Sequence, residues 1–443
     1  MSSTRATPPL LKDLNERTVL EAIRAAAPIS RAEISRRMGI SKPTVSLALR
    51  ALAEAGLVRE AARGPDGPSY GAVFFEPVPE AAFVLGLDLG SRFLRGAVCD
   101  LAGQIRARQD VELRGADATG ALDAIAALQE SLVEAAALPA DRIDGVVLGF
   151  PGVVETATRT LQLTTPYIRG LEGREFGTEV ELRIGLAVTL ENDINLAAVG
   201  ERWAGVARGV DDFAFLSIGT GTGMGLVLGG ELHRGNHGAA GEVDWALAGI
   251  GTDVDPSAEG AAKLAAELAW NGTGGAAPPY DARDIFVAAR RGDELAGTIV
   301  EEIARRVAAH IAPIAAVADP ALIVLGGGLG MNGDLLLQPV RALLQQWLPY
   351  PPRVEISSLG ENAVLMGAVA TGLQTALDNV FVNRPRALPA TQAQSPAAAR
   401  GRLRCMKGAS KPKKGAKKQA QKSLKQRRAE KKAAADKKFG SGY

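Results

Sequence analysis

The chain has 443 residues, with 51 Lys and Arg against 49 Asp and Glu, and its formal net charge of +2 conceals three electrostatic regions. Met1–Tyr70 holds 11 basic and seven acidic residues (+4), Gly71–Asn383 holds 21 and 40 (−19), and Arg384–Tyr443 holds 19 and two (+17). A hydrophobic fraction of 47% excludes wholesale disorder, and the two cysteines, Cys99 and Cys405, stand in no CxxC arrangement, which excludes an intrachain disulfide framework or a cysteine-rich zinc site.

No leader-like apolar run opens the chain, and its most hydrophobic stretch, Ile311–Leu325, is broken by Pro313, Asp319 and Pro320. A cytoplasmic protein of about two to four domains, with no membrane partner, is therefore expected.

The head reads as helices. Asp13–Ala26 forms the first, with Leu20 and Ile23 starting an apolar face and Pro28 stopping it. Ser30 stands as an N-cap with Glu33 three residues on, the spacing of a capping box, and Arg31–Met38 forms the second helix, Ile34 and Met38 sharing a face and Gly39 turning the chain. Ser41 caps a third helix with Pro43 in its first turn and Val45, Leu49 and Leu52 at helical spacing. Small Ser35, the Gly39 turn and Val45 fit the close, steep crossing of a helix-turn-helix. Its outward face would present Ser41, Lys42, Thr44, Ser46 and Arg50, groups that donate to phosphates and base edges of a double-stranded DNA operator. Leu57–Glu60 and Ala72–Glu76 read as strands around the turn Gly64–Pro68, completing a wing. A helical hairpin used for dimerisation is the alternative.

From Ala81 buried strands alternate with helices, which predicts an α/β fold. Phe83–Gly90 and Gly96–Gly103 form a hairpin, a helix follows near Ala121–Ala137, and strands are expected at Gly145–Phe150, Ala187–Leu190, Phe213–Ile218 and Ala321–Leu325. Four motifs punctuate this pattern. Asp88 and Gly90 end a strand where a phosphate or hydrated magnesium could sit. Glu191-Asn-Asp-Ile-Asn195 opens a helix, placing Asp193 where a carboxylate could take a hydroxyl proton. Gly219, Gly221, Gly223 and Gly225 alternate in a run that lets backbone amides approach phosphates, and Gly326 and Gly327 begin a cluster between a strand and a helix. Each motif alone is equally a plain turn or cap; their order carries the weight.

With Gly149-Phe-Pro-Gly-Val153 and Gly238-Ala-Ala-Gly-Glu242 added, the winged helix and these blocks resemble a transcriptional regulator of the ROK (repressor, ORF, kinase) family, over about Leu11–Leu377. The resemblance implies an actin-like (ribonuclease H-like), two-lobed sugar kinase fold and a bacterial, nucleoid-associated regulator acting as a homodimer or homotetramer. Similar kinases read Asp-x-Gly-Gly-Thr, whereas Ser91 and Arg92 follow Gly90 here, so ATP and magnesium are not expected. Trp245 stands at the position of a zinc-binding histidine and no cysteine lies between Cys99 and Cys405, so no zinc is expected either. Trp245 either stacks on a sugar ring or, preferably, fills the vacated space. His233 and His237 lack a third soft ligand for a metal pair. By resemblance, Asn192, Asp193 and Glu242 hydrogen-bond a sugar, while Asp88, Gly90, Gly219, Gly221, Gly223, Gly326 and Gly327 are remnants of phosphate loops.

The expected domains are a winged helix-turn-helix at 1–78, a sensor at 79–382 and a lysine-rich tail at 383–443. Twelve of the chain's 15 lysines lie between Lys407 and Lys438, with few large apolar residues to build a core, so disorder is expected there, and helix over Gln419–Lys438 on DNA. The leading expectation is a sequence-specific regulator, a repressor of carbohydrate genes tuned by a sugar or sugar phosphate. A sugar kinase with Asp193 as general base, and an architectural DNA-binding protein acting through the tail, are the alternatives.

Overall fold

A computed structural model describes residues 8–62, 72–113, 117–155, 160–162, 168–247, 254–272 and 280–383. The head comprises α1 (Pro8–Ala26), β1 (Ile29–Ser30), α2 (Arg31–Met38), α3 (Lys42–Glu54), β2 (Val58–Glu60) and β3 (Phe74–Pro77). The first helix starts five residues earlier than its apolar periodicity indicates, since prolines are tolerated in a first turn. Both serine caps form: Ser30 Oγ accepts the Glu33 N–H at 3.2 Å and Ser41 Oγ the Thr44 N–H at 3.3 Å. Gly39 takes φ 66°, the left-handed turn between α2 and α3. The Glu33 carboxylate engages Arg36 and Arg37. Met38, expected beside buried Ile34, is 38% exposed at the last helical residue before the turn. The sheet order is β1-β3-β2, with the wing turn Gly64–Pro68 outside the described residues.

The body has two lobes of matching topology. The first contains β4 (Phe83–Leu89), β5 (Phe93–Asp100), β6 (Ile105–Glu112), α4 (Ala118–Ala135), β7 (Ile143–Phe150), β8 (Val153–Val154), β9 (Leu161–Gln162), α5 (Phe176–Ile184), β10 (Val188–Asn192) and α6 (Asp193–Ala204). The second contains β11 (Phe213–Ile218), β12 (Thr222–Leu228), β13 (Glu231–Leu232), α7 (Ala258–Glu267), α8 (Ala282–Arg290), α9 (Glu294–Ala318), β14 (Leu322–Gly326), α10 (Gly327–Gly330), α11 (Gly333–Trp347) and β15 (Arg353–Ile356), after which α12 (Ala363–Asn383) returns to pack on β4 and β7 of the first. Sheet orders are β10-β7-β4-β5-β6 and β13-β12-β11-β14-β15. In each, three antiparallel strands continue into two parallel ones reached by crossovers. This doubling is the two-lobed, actin-like plan.

The helices α6 and α12 cross at two glycines. A Cβ on Gly200 would overlap the Ala363 carbonyl, and one on Gly367 the Leu196 carbonyl. At its other end α12 packs Leu373 and Leu377 into one apolar cluster with Val84 and Cys99 of the first lobe and Leu20, Ile23 and Leu52 of the head. Arg17 of α1 pairs with Asp378, and Arg24 Nε donates to the Leu101 carbonyl at 3.0 Å. The head is thus continuous with the body's packing. Cys405 and the expected helix Gln419–Lys438 lie outside the described residues.

The crossing makes a stability prediction. Gly367→Ala should lower stability by about 3 kcal/mol, because backbone must move to admit the methyl group. Gly297→Ala, at a helical site with open space around it, should be neutral or slightly stabilising. Urea unfolding of the full chain distinguishes the two, and equal midpoints would refute the tight crossing.

Candidate effector cleft and DNA-reading face

A cavity of about 240 Å³ opens between the lobes, lined by Ser91, Pro151 and Gly152, by Asn192, Asp193 and Ile194 at the start of α6, by Ser217, Gly219, Thr220, Gly221, Thr222 and Gly223, and by Glu242. The three residues assigned to a sugar therefore meet on one wall system. Their roles differ. Asn192 Oδ1 caps α6 by accepting the Asn195 N–H at 2.9 Å, and its Nδ2 donates to the Gly152 carbonyl at 2.8 Å, so this side chain first of all ties the helix to the loop after β7. Asp193 Oδ1 accepts the Ile194 N–H at 2.9 Å. Burial, then the nearby Asp88 charge, pushes the Asp193 carboxyl up to about 7. Glu242 is also raised, by burial and by Asp244. Thr222 Oγ1 is buried at the cavity wall without a hydrogen-bond partner, an acceptor and donor left for whatever enters.

Asp88, at the end of β4, is buried and stands back from the lining, and burial raises its carboxyl to about 6. Arg95 Nη1 lies 3.3 Å from it, while the same guanidinium reaches Glu361 at 2.9 Å and Asp110 at 3.6 Å. The carboxylate expected at a phosphate loop is occupied by an internal cation. Gly90 closes the β4–β5 turn, its N–H donating to the Phe93 carbonyl at 2.9 Å.

The glycine run divides by function. Gly219 and Gly221 form the turn between β11 and β12 and face the cavity. Gly223 faces it as well, but with Gly225 it also lets β12 pack on α6: a Cβ on Gly223 would lie 3.2 Å from Ile194 Cγ1, and one on Gly225 2.6 Å from the Ile194 carbonyl. Gly326 and Gly327 are absent from the cavity wall; the Phe215 ring and the Ile218 carbonyl leave no room for side chains there, and Gly327 has φ 76°. Packing accounts for both.

Trp245 departs from expectation. It is 57% exposed, and neither lines the cavity nor fills a space beneath it. What braces its turn is His310, which sequence reasoning passed over. This buried ring sits with Nδ1 2.9 Å from the Arg306 carbonyl and Nε2 3.3 Å from Asp244, two residues from Glu242. Two further contacts tie the same loop to the first lobe: Arg234 with Glu191 at 2.6 Å, and His237 with Glu155 at 3.6 Å. His310 carries no local sequence signal, because its partner is 66 residues away.

On the head, Lys42 and Arg50 are exposed on α3. Ser41 and Thr44 are engaged with each other in the cap, their hydroxyls 2.8 Å apart, and Ser46 accepts from Arg31 Nη1 at 2.9 Å. Between α3 and the wing a groove of about 510 Å³ is lined by Arg31, Lys42, Ser46, Arg50, Glu60 and Val73 among others. Arg31 was missed because it opens α2, and only folding brings it beside Ser46.

The fold and cleft define the class: a winged helix-turn-helix joined to a two-lobed body of the sugar kinase type. Residues 84–374 match the ROK family pattern and residues 12–59 that of winged helix-turn-helix DNA-binding domains. The chain belongs to the ROK family. It is similar to a putative xylose repressor of Caldicellulosiruptor sp. (strain Rt8B.4), 28% identical over 82% of this chain and 96% of that protein, and to the glucokinase of Streptomyces coelicolor, 31% identical over 64% and 95%. A crystal structure of a ROK family transcriptional regulator, homologous to the E. coli MLC protein, superposes with a TM-score of 0.69 at 23% identity, over 84% of this chain and 98% of that one.

The raised carboxyl gives a pH prediction with a definite sign. Asp193 in the folded chain holds its proton to about 7, above the unfolded value near 4, so its penalty is absent below about pH 4, grows as pH rises from there to about 7, and is fully present above. Asp193→Asn should therefore raise the thermal midpoint at pH 8 clearly more than at pH 5, where only the first part of the penalty has accumulated. A midpoint shift equal at both pH values would show that Asp193 is ordinarily solvated.

Proposed function

We propose that this protein is a sequence-specific DNA-binding repressor whose operator affinity is set by a sugar held in the kinase-type cleft. One observation carries the reading: the helix that starts at the cleft with Asn192 and Asp193 is locked by Gly200 and Gly367 to α12, whose far end shares a core with the DNA-reading head. A ligand that prefers one position of α6 thereby shifts the head as well, by no more than its difference in affinity for the two positions.

The effector class follows from the lining. The cavity is smaller than the about 300–1,000 Å³ pockets that take drug-sized ligands, which suits a monosaccharide. Its walls offer two carboxylates, four hydroxyls and backbone amides, and among the described lining residues none is Lys or Arg. A sugar phosphate would bring its charge to Asp193 and Glu242. We therefore assign an unphosphorylated sugar, with xylose, named in the repressor relative, and glucose as first candidates. Lys42 and Arg50 supply the charged contacts of the operator-bound head.

A kinase reading is favoured by one feature, the Asp193 carboxyl near 7, well placed for a general base. Against it stands the Asp88–Arg95 pair, which leaves no free carboxylate at the first phosphate loop for a magnesium nucleotide. A coupled assay with ATP, magnesium and a panel of neutral sugars separates the two. No turnover above background is expected, while one sugar should change operator affinity by about 5–150-fold, the usual range of allosteric coupling. Robust turnover lost in Asp193→Asn would establish the kinase instead, and an operator complex indifferent to every sugar would overturn the sensor.

A further inference from the structure

The centre of the DNA-reading face is apolar. Val45, Ala48, Leu49 and Leu52 are buried, and at 3.6 residues per turn the opposite side of α3 is formed by Pro43, Leu47, Arg50 and Glu54. Leu47 is 57% exposed there, with the exposed cation Arg50 about one turn further along and exposed Lys42 nearer the helix start, both towards the wing side, while Ser46 is turned to Arg31. A lone exposed leucine on an ordinary surface needs no account. Here it occupies the middle of the strip that a winged helix presents to the major groove, ahead of the polar side chains that sequence chemistry alone would nominate. The floor of that groove offers one apolar group, the C5-methyl of thymine.

We propose that Leu47 is a specificity-determining residue that reads a thymine methyl in the operator half-site, while Arg50 donates two N–H groups to O6 and N7 of a nearby guanine. The inference rests on the repressor reading above and adds the base composition of its target. Leu47 and Arg50 are three residues apart, hence about 4.5 Å along the helix axis, close to the about 3.4 Å step between base pairs. The thymine and the guanine therefore belong to neighbouring base pairs. Lys42, nearer the start of the helix, lies at the flank and contacts the phosphate backbone, which positions the helix without selecting sequence.

Leu47 also borders a second groove of about 290 Å³ with Leu11, Asn15 and Thr44, so a second copy of the head covering that groove is the competing use of the side chain. The experiment distinguishes them. The full-length chain is used to select duplexes from a randomised library, and each thymine of the selected half-site is then replaced singly by deoxyuridine, which lacks only the methyl. One such replacement should weaken wild-type binding about fourfold, the effect of one buried methyl group. Leu47→Ala should bind the unmodified operator with a similar loss and be indifferent to that replacement, with its thermal midpoint unchanged. Arg50→Ala should keep the deoxyuridine effect and lose discrimination at the adjacent guanine. If Leu47→Ala remains as sensitive to deoxyuridine as wild type, if no thymine methyl matters, or if the variant alters self-association instead, the proposal fails while the repressor reading stands. If the wild-type chain selects no sequence at all, both fail.

Discussion

Two glycines hold this protein together as a device. Where α6 crosses α12, Gly200 lies on the Ala363 carbonyl and Gly367 on the Leu196 carbonyl, so the helix backbones touch without side chains between them. Interiors packed this closely transmit displacement, because a gap or overlap of one methyl group is already costly. The contact is reinforced at one end by Glu201, a fully buried carboxylate of α6 that accepts the Val206 N–H at 2.9 Å, the Leu359 N–H at 3.3 Å and the Ser357 hydroxyl. A buried charge is tolerable when donors surround it in this way. Here the carboxylate belongs to α6, and its donors come from the turn just after α6 and from the segment leading into α12, so the two helices share one anchor. Everything proposed about signalling follows from what each helix carries at its free end: Asp193 at the cleft, and the apolar contacts with Leu20 and Ile23 at the head.

Charge is arranged around this axis to separate roles. The acidic body, at −19, is a poor neighbour for DNA, which leaves attraction to the head and to the tail. Within the body the carboxylates nearest the cleft are treated unequally. Asp88 has Arg95 beside it, and Arg95 extends to Glu361 just before α12, so that carboxylate belongs to the frame. Asp193 has backbone amides and open cavity instead. A kinase needs the first of these groups available and the second basic; this protein keeps the second and commits the first to structure.

Legibility from sequence followed the range of the interaction involved. The caps at Ser30 and Ser41 and the Gly39 turn depend on neighbours within three or four residues, and α2 has the expected ends and α3 the expected start. The order of strands along the body was readable for the same reason, since buried runs announce themselves locally. The strands β6, β12 and β15 were not: β6 is mostly exposed, β12 is disguised by its glycines, and β15 is four residues long. The glycines at 223, 225, 326 and 327 were assigned to phosphates because glycine permits close approach, yet what approaches is protein: Ile194, Phe215 and Ile218, distant in sequence. Asn192, Asp193 and Glu242 do converge on one cavity. Trp245 and His310 mark where that reasoning ran out. A missing zinc ligand suggests a space to be filled, but here the turn is braced from below by a histidine that no motif contains, and the tryptophan lies outside. Leu47 was passed over for a chemical reason, because polar residues were sought on a face whose centre is set by geometry.

The burial of Asp193 explains why a sensor would retain a catalytic-looking carboxyl. Ionising it in the ligand-free cleft is opposed by burial and by Asp88, which is what the value near 7 expresses. Hydroxyl donors from a sugar would supply the solvation that the cavity withholds, favouring the charged form, and Thr222 would gain the partner it lacks. The free energy released is then specific to the arrangement in which the walls from both lobes reach the same ligand. Asp193 is the first residue of α6, so any adjustment that optimises those hydrogen bonds moves the helix whose middle is locked to α12. A neutral, solvent-satisfied residue at this place would bind a sugar without favouring one arrangement over another, and affinity equal in two states shifts nothing. An under-solvated carboxylate at the start of a locked helix is therefore useful to a repressor in its own right, with no phosphoryl transfer required to justify it.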